Sequence, residues 1–218
     1  MTNQRFDWSY KISKRFGMNM NQKAIYKLTY GLFVLSAYTK GKQNGCIINT
    51  AAQVTSSPNR ISIAVNKANL THDIIMETGL FNVSVISEEA TFRLFERFGF
   101  HSGRDTDKFD GFEYWKSQNG LAVLTADYIN AFMSCDVTDY IDLGTHGMFI
   151  CEVNCAMTLS DAESMTYSYY HKNVKPKKNE KKTGYVCKIC GYVHESNTLP
   201  DDFVCPICKH GASDFEKL

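Results

Sequence analysis

Tyr185-Val-Cys187-Lys-Ile-Cys190-Gly-Tyr192 and Leu199-Pro-Asp-Asp-Phe203-Val-Cys205-Pro-Ile-Cys208 carry two Cys-x-x-Cys pairs separated by fourteen residues. Each pair sets two thiolates on one tight turn. Two such turns facing each other make a tetrahedral four-sulfur site suited to zinc or to a single iron. A segment too short for a large core is then folded by its metal. The alternatives are two disulfides or four free thiols. Disulfides need a secreted protein, and the sequence carries no sign of one. Cys187, Cys190, Cys205 and Cys208 are therefore the expected metal ligands.

The surrounding residues bear on which metal is held. Gly191 lets the backbone turn so that amide N–H groups aim at sulfur, and such bonds tune an iron–thiolate centre. Pro206 stiffens the second turn, and Tyr185, Tyr192, Phe203 and Phe215 supply an aromatic shell that a zinc ribbon has less need of. With these residues, and with Asp214-Phe215-Glu216, the segment from 184 to 218 resembles rubredoxin, the one-iron electron-transfer module. Three positions depart from that pattern. The loop between the pairs is shorter than in free-standing rubredoxins. Phe203 replaces the usual Trp. Lys209 replaces the Gly that follows the last cysteine, so the second turn is expected to sit differently and the potential to shift.

The chain has 218 residues, 44 % apolar and 22 % charged, with a net charge of +1. That is room for one domain plus a small module. The charge gives no general argument for nucleic acid or a membrane surface. Met1-Thr-Asn-Gln-Arg-Phe-Asp lacks the apolar stretch of a signal peptide, and no apolar run approaches a bilayer span, so a cytoplasmic location is expected. Cys46, Cys135, Cys151 and Cys155 show no framework spacing and read as free thiols, with Cys151 and Cys155 facing one side of a strand, toward the core.

Alternation of aromatic and β-branched residues predicts strands over 31–39, 46–54, 60–65, 81–86, 128–140 and 148–157. Asn44-Gly45 reads as the turn of the first hairpin. Thr71 is expected to cap a short helix ended by Gly79, and Ser87 a second whose buried stripe is Ala90, Leu94, Phe95 and Phe98. Residues 99–120 read as a loop. The run 171–184 holds six lysines and one glutamate and reads as an extended, solvated linker. Many strands and few helices point to an antiparallel barrel. The absence of Gly-x-Gly-x-x-Gly after any strand argues against a doubly wound dinucleotide fold.

A one-electron iron site needs an electron source. Asn49-Thr50-Ala51-Ala52-Gln53-Val54-Thr55-Ser56 offers small side chains, amides and hydroxyls at a strand end, which suits the edge of a flat flavin ring. Asn66-Lys67 and Thr71-His72 bring a cation and a hydroxyl to a helix N-terminus, a natural anion site. Read alone, such polar residues are more often a plain turn. Yet this run stands in order with Phe98-Gly-x-x-Ser102-Gly-Arg104-Asp-x-Asp-Lys108, Gly144-x-His146-x-x-Phe149 and Met165-Thr-Tyr167. Together they resemble the flavin-reductase-like FMN-binding split barrel over about residues 20–170, and barrel plus rubredoxin resembles the high-molecular-weight rubredoxins.

The resemblance implies a mainly β protein. An FMN-binding split β-barrel with a few short helices spans residues 1–170, a lysine-rich linker 171–184, and a rubredoxin-like four-cysteine module 185–218. It implies FMN, one iron, NADH or NADPH as donor, a flavodiiron protein as acceptor, and a homodimer. It places Asn49 to Ser56 along the ring and ribityl chain, and Lys67, Thr71 and His72 on the phosphate. Ser102, Arg104 and Lys108 complete the site, with His146 near the flavin or nicotinamide. Alternatively Arg104 pairs with Asp105, and His146 is a turn histidine. In the implied relay NADH gives a hydride to FMN, which releases single electrons to the iron, with the lysine run as a tether on which the module swings. No catalytic carboxylate or nucleophile is expected. The rival readings are a free-flavin reductase with a vestigial iron module, and a flavin-storage domain beside a zinc-held interaction module.

Overall fold

The computed structural model describes residues 22–25, 27–176 and 184–218, so the expectations for the first twenty-one residues and for the lysine run at 177–183 lie outside it. The strands β1 (Phe33–Thr39), β2 (Lys42–Ile48), β3 (Ala52–Ser56), β4 (Asn59–Asn66) and β5 (Leu80–Ile86) follow a short helix α1 (Gln22–Ile25). Helix α2 (Leu70–Thr78) lies between β4 and β5, and α3 (Phe92–Phe95) continues into a π-helical turn at Glu96–Phe100. The hairpin β6 (Tyr114–Lys116) and β7 (Ala122–Leu124) precedes two long strands, β8 (Ile129–Asp142) and β9 (His146–Thr158). Then α4 (Tyr167–Tyr169) runs into a second π-helical turn at Tyr170–Val174. The chain ends in β10 (Tyr185–Cys187), β11 (Val193–His194) and β12 (Phe215–Lys217).

Among the described residues one seven-stranded antiparallel sheet runs β2-β1-β5-β8-β9-β4-β3, and β11-β10-β12 forms a separate small sheet. This is the mainly β architecture that the alternation predicts. No helix among the described residues is long and apolar enough to cross a membrane.

The sheet buries both faces. Leu35, Ile63, Val65, Phe81, Val83 and Phe149 form one core with Ile74 and Ile75 of α2. Val34, Ile86, Leu94, Phe98, Phe132 and Met165 form the other. Alternate residues of one strand enter different cores because side chains of a strand point to opposite faces in turn. The buried stripe Ala90, Leu94, Phe95 and Phe98 is as expected. Cys46, Cys135 and Cys151 are buried free thiols. Cys155 is half-buried and packs against the other core from Cys151, because a register shift between Ser134 and Cys135 skips Asn154 on β9 and reverses the alternation.

Several local expectations give way to tertiary pairing. The first turn is Lys40-Gly41, with φ of 50° and 83°, since Thr39 pairs with Lys42. Asn44 and Gly45 lie buried inside β2 instead. Gly45 is needed there because a Cβ would stand 2.6 Å from the Leu35 carbonyl oxygen and 3.1 Å from the Phe98 ring. The expected strand 46–54 is broken by a bend at Asn49 into β2 and β3.

The N-cap of α2 is Asn69, and Thr71 lies within the first turn. Ser87 caps nothing: its N–H donates to the Tyr128 carbonyl and the Glu88 N–H to the Glu163 carbonyl, and the helix begins only after its N-cap Thr91. The expected loop 99–120 includes β6, whose hairpin is pinned by buried amides. Ala122 N–H donates to Gln43 Oε1 at 3.0 Å, and Asn82 Nδ2 donates to Ser117 Oγ at 2.8 Å. His171–Val174 is π-helical rather than extended.

Gly45→Ala should cost about 1–3 kcal/mol through overpacking against backbone. Gly41→Ala, at positive φ with nothing within 4 Å, should cost about 1–2 kcal/mol through strain alone. Urea unfolding of the two variants checks both figures.

Candidate functional site

The Sγ atoms of Cys187, Cys190, Cys205 and Cys208 all lie within 4.8 Å of one another. Cys187 and Cys208 stand 3.5 Å apart, and Cys190 and Cys205 3.6 Å. Four metal–sulfur bonds of about 2.3 Å in a tetrahedron give sulfur–sulfur edges of about 3.8 Å. The donor set and its spacing therefore fit one tetrahedral zinc or iron ion. The cage has no open position, so the ion it fits would exchange electrons or brace the fold and would not bind substrate.

The two cysteine turns are built alike. Gly191 N–H donates to the Cys187 carbonyl at 2.9 Å, and Lys209 N–H to the Cys205 carbonyl at 2.9 Å. Cys187 N–H reaches the Tyr192 carbonyl, and Cys205 N–H the His210 carbonyl, both at 2.8 Å. Gly191 has φ 82° and Lys209 φ 63°. The lysine thus takes the left-handed backbone that glycine takes in the first turn.

Backbone amides aim at the sulfurs: Tyr192 at Cys190, His210 at Cys208, and Ile207 and Cys208 at Cys205. Burial pushes the Cys190 and Cys208 thiols up, Cys208 to about 12. Burial also opposes ionisation of Cys205, but its two amides help outweigh that and hold the thiol below its ordinary value. Phe215 is buried against the cysteines, with Tyr185, Tyr192, Leu199, Phe203 and Ile207 around them. Phe203 meets the Phe215 ring edge-on at 5.2 Å and lies 4.4 Å from His194. Phe100, from the first π-helical turn, also packs on this cluster.

The other predicted residues divide into two groups. Ala51, Ala52 and Gln53 line a cleft of about 370 Å³ beside the exposed edge strand β3. Its floor is Phe33, Ile61, Met133, Val153 and Ala156, and Arg60 stands with Gln53 on the polar rim. An apolar floor with an amide and a guanidinium at one side fits a flat aromatic ring with a polar edge. Thr50 ties the start of β3 to β4: its hydroxyl donates to the Ala64 carbonyl at 2.7 Å and accepts the Ala64 N–H at 3.3 Å. Asn49 sits half-buried at the preceding bend, and Val54 is exposed on β3. Thr55 closes the next turn on the Pro58 carbonyl, and Ser56 pairs with Asn59.

The second group surrounds the N-terminal end of α2. Lys67 Nζ binds both oxygens of Asp142 at 2.6 Å on the surface, which holds Asp142 below the usual carboxylate range. His146 pairs with Asn66 across β9 and β4, and its Nδ1 lies 3.0 Å from Thr145 Oγ1. Thr71 is buried; its hydroxyl accepts from Asn44 Nδ2 at 2.9 Å and contacts the Cys46 thiol. His72 is buried between Asp73 and Tyr140, 3.4 Å from each.

Arg104 pairs with Asp73 at 2.7 Å, not with Asp105, and its N–H donates to Ser102 Oγ. Lys108 points inward. It is 5 % exposed, donates to the Phe98 carbonyl at 3.1 Å, and burial lowers its pKa. The structure thus gathers Lys67, Thr71, His72, Ser102, Arg104 and His146 around α2 and leaves Lys108 inside. Sequence reading missed Arg60, Asn44, Asp142, Tyr140 and Phe100. Asn44 carries the local signal of a turn residue. The others carry no local signal, being brought in by strand pairing and packing.

Residues 25–178 match the flavin reductase like domain, and residues 185–216 the rubrerythrin, rubredoxin-like domain. A high molecular weight rubredoxin of Moorella thermoacetica is 36 % identical over 230 residues, covering 91 % of this chain and 100 % of that protein. A ferric-chelate reductase (NAD(P)H) of Archaeoglobus fulgidus is 38 % identical over 152 residues, covering 70 % of this chain and 89 % of that one. Among solved structures, an NADH:FAD oxidoreductase of Streptomyces globisporus in complex with NAD and FAD fragments superposes with TM-score 0.60 at 23 % identity, over 68 % of this chain and 86 % of that one. At that identity it supports the fold alone.

Cys205→Ser should abolish the charge-transfer colour of the iron-loaded protein while leaving flavin binding within about twofold, because the cleft shares no residue with the cage. Lys209→Gly should stabilise the metal-loaded module by about 1 kcal/mol, relieving a left-handed side chain. Absorbance and chelator-challenge midpoints measure the two.

Proposed function

The chain belongs to the flavin reductase like family and carries a rubredoxin-like domain after it, the arrangement of the high molecular weight rubredoxins, and from that premise we propose an electron relay from NAD(P)H through FMN to an iron held by four cysteines and on to a protein acceptor. Flavin-dependent electron transfer by an oxidoreductase follows from the pairing of domains. The finer reading takes NADH or NADPH as donor, FMN as the flavin and a flavodiiron protein as acceptor. The observation that carries it is the closed four-sulfur cage with amides aimed at its sulfurs. A closed cage offers no position for substrate, and amide–sulfur bonds matter most to a metal that changes charge.

When bound, FMN supplies the conversion between a two-electron donor and a one-electron acceptor. The chain's part is to hold and orient. Ala51 and Ala52 leave room at the cleft wall, and Gln53 and Arg60 offer donors to a ring edge. Lys67 is the exposed cation for a phosphate, and Asp142 is the partner it would exchange. Thr71 supports the site from inside through Asn44. The exposed strand β3, with an apolar cleft beside it, supports a homodimer that covers this edge. None of the eight cysteines is in a disulfide, which suits a reducing, cytoplasmic compartment.

The test is an anaerobic optical titration of the purified protein with NADH and, separately, NADPH. Flavin and iron bands should both bleach with the preferred nucleotide. Flavin bleaching with the metal-site absorbance absent or unchanged would instead favour a flavin reductase with a zinc-held module. Lys67→Ala should raise the FMN dissociation constant about tenfold without changing the unfolding midpoint. Thr71→Val should also lower stability, by about 1–3 kcal/mol, because it strips buried Asn44 of its acceptor. Equal stability and affinity losses in both variants would remove Lys67 from the phosphate.

A further inference from the structure

All four ligands lie in the two cysteine turns, and the small sheet packs Phe215 against them. The metal position is therefore at the turn end of the module. An electron travels the least distance through that end, whichever way it goes.

That end rests on the first domain. Ile189 shares a cavity of about 260 Å³ with Phe100, Tyr170 and Lys175. Cys190 and Ile207 share one of about 180 Å³ with Phe92, Glu96 and Phe100. Lys175 Nζ donates to the Ile189 carbonyl at 3.4 Å. The receiving surface is made of the two π-helical turns, a geometry frequent at functional sites.

The seam is loose. Both clefts between the module and the first domain are open to solvent, so the two sides are only partly packed together, and the hydrogen bond across them is long at 3.4 Å. Contacts of this kind between domains are reversible.

Resting on the relay reading, we propose that the cysteine-turn end of the iron module is one face used twice. It docks on the Phe92–Phe100 and Tyr170–Lys175 surface to receive an electron, and it leaves that surface to meet a one-electron redox protein. The first domain and the acceptor then compete for Ile189, Cys190 and Ile207. In the second step the ferrous centre loses one electron and the acceptor gains it, with no bond made or broken.

The test uses the full-length iron-loaded protein and two variants from opposite sides of the seam, Phe100→Asp and Ile189→Asp. Ile189 is 40 % exposed and is not a ligand, so its variant should fold. Small-angle X-ray scattering should show a larger radius of gyration in both variants. Stopped-flow reduction of the iron by NADH should slow about tenfold as the docked fraction falls. Reoxidation of the dithionite-reduced iron by ferric cytochrome c should accelerate in Phe100→Asp, whose module face is intact but released. An unchanged radius together with unchanged rates would overturn the docking surface. Slowed NADH reduction with an unchanged cytochrome c rate would overturn the shared face, because the acceptor then reaches half-buried Cys208 while the module is docked. If NADH fails to reduce the iron in the unsubstituted protein, the relay reading fails, while scattering and the cytochrome c step still judge the shared face.

Discussion

Backbone pairing between β8 and β9 is the interaction on which the large domain depends. The ladder runs from Ala131 opposite Thr158 to Asp142 opposite Gly147, in the middle of the sheet, with β5 on one side and β4 on the other. Two register shifts bend it and change which face its side chains meet. One ribbon can therefore put Ile129 and Phe132 into one core, and Cys135, Phe149 and Cys151 into the other. Its turn end also delivers Asp142 and His146 to the start of α2, while Met133, Val153 and Ala156 floor the cleft beside β3.

The small module depends on a different force. Its β10-β11-β12 sheet is made of strands of two or three residues, which bury little apolar surface. Four thiols within 4.8 Å become mutually repelling charges when ionised, unless a cation neutralises them. The metal is thus both the fold's staple and the reason the sulfurs tolerate one another. Amides on Cys190, Cys205 and Cys208 share that electrostatic load.

Polar groups around α2 show how a binding surface is backed from inside. Asn44 is buried in β2 and anchors Thr71, and a Cβ on Gly103 would stand 1.9 Å from its side-chain oxygen. Arg104 on that loop then reaches Asp73 of the helix. Lys42 Nζ fixes the same loop by donating to the Gly103 carbonyl at 3.1 Å. The exposed cation Lys67 therefore borders a surface whose shape is set by buried amides and a glycine.

What the sequence determined by itself is what short-range geometry dictates. Two Cys-x-x-Cys turns specify a tetrahedral cage because each turn fixes two sulfurs, and alternation specifies strands because side chains alternate by two. Those rules predict the clustering of the four cysteines, the main strands and the buried stripe from Ala90 to Phe98. The tertiary structure decided whatever hung on a partner far along the chain. Asn44-Gly45 has the strongest local turn signal, yet pairing with β1 buries it and shifts the turn to Lys40-Gly41. Ser87 has the residues of a helix cap, yet its amide goes to the Tyr128 carbonyl. Lys108 reads as a cation for a ligand, yet packing turns it toward the Phe98 carbonyl. Phe100 and Arg60 have no local mark at all. Each lies where it does because a backbone hydrogen bond or a buried contact with a distant segment outweighs a preference of a kcal/mol or so held by its neighbours.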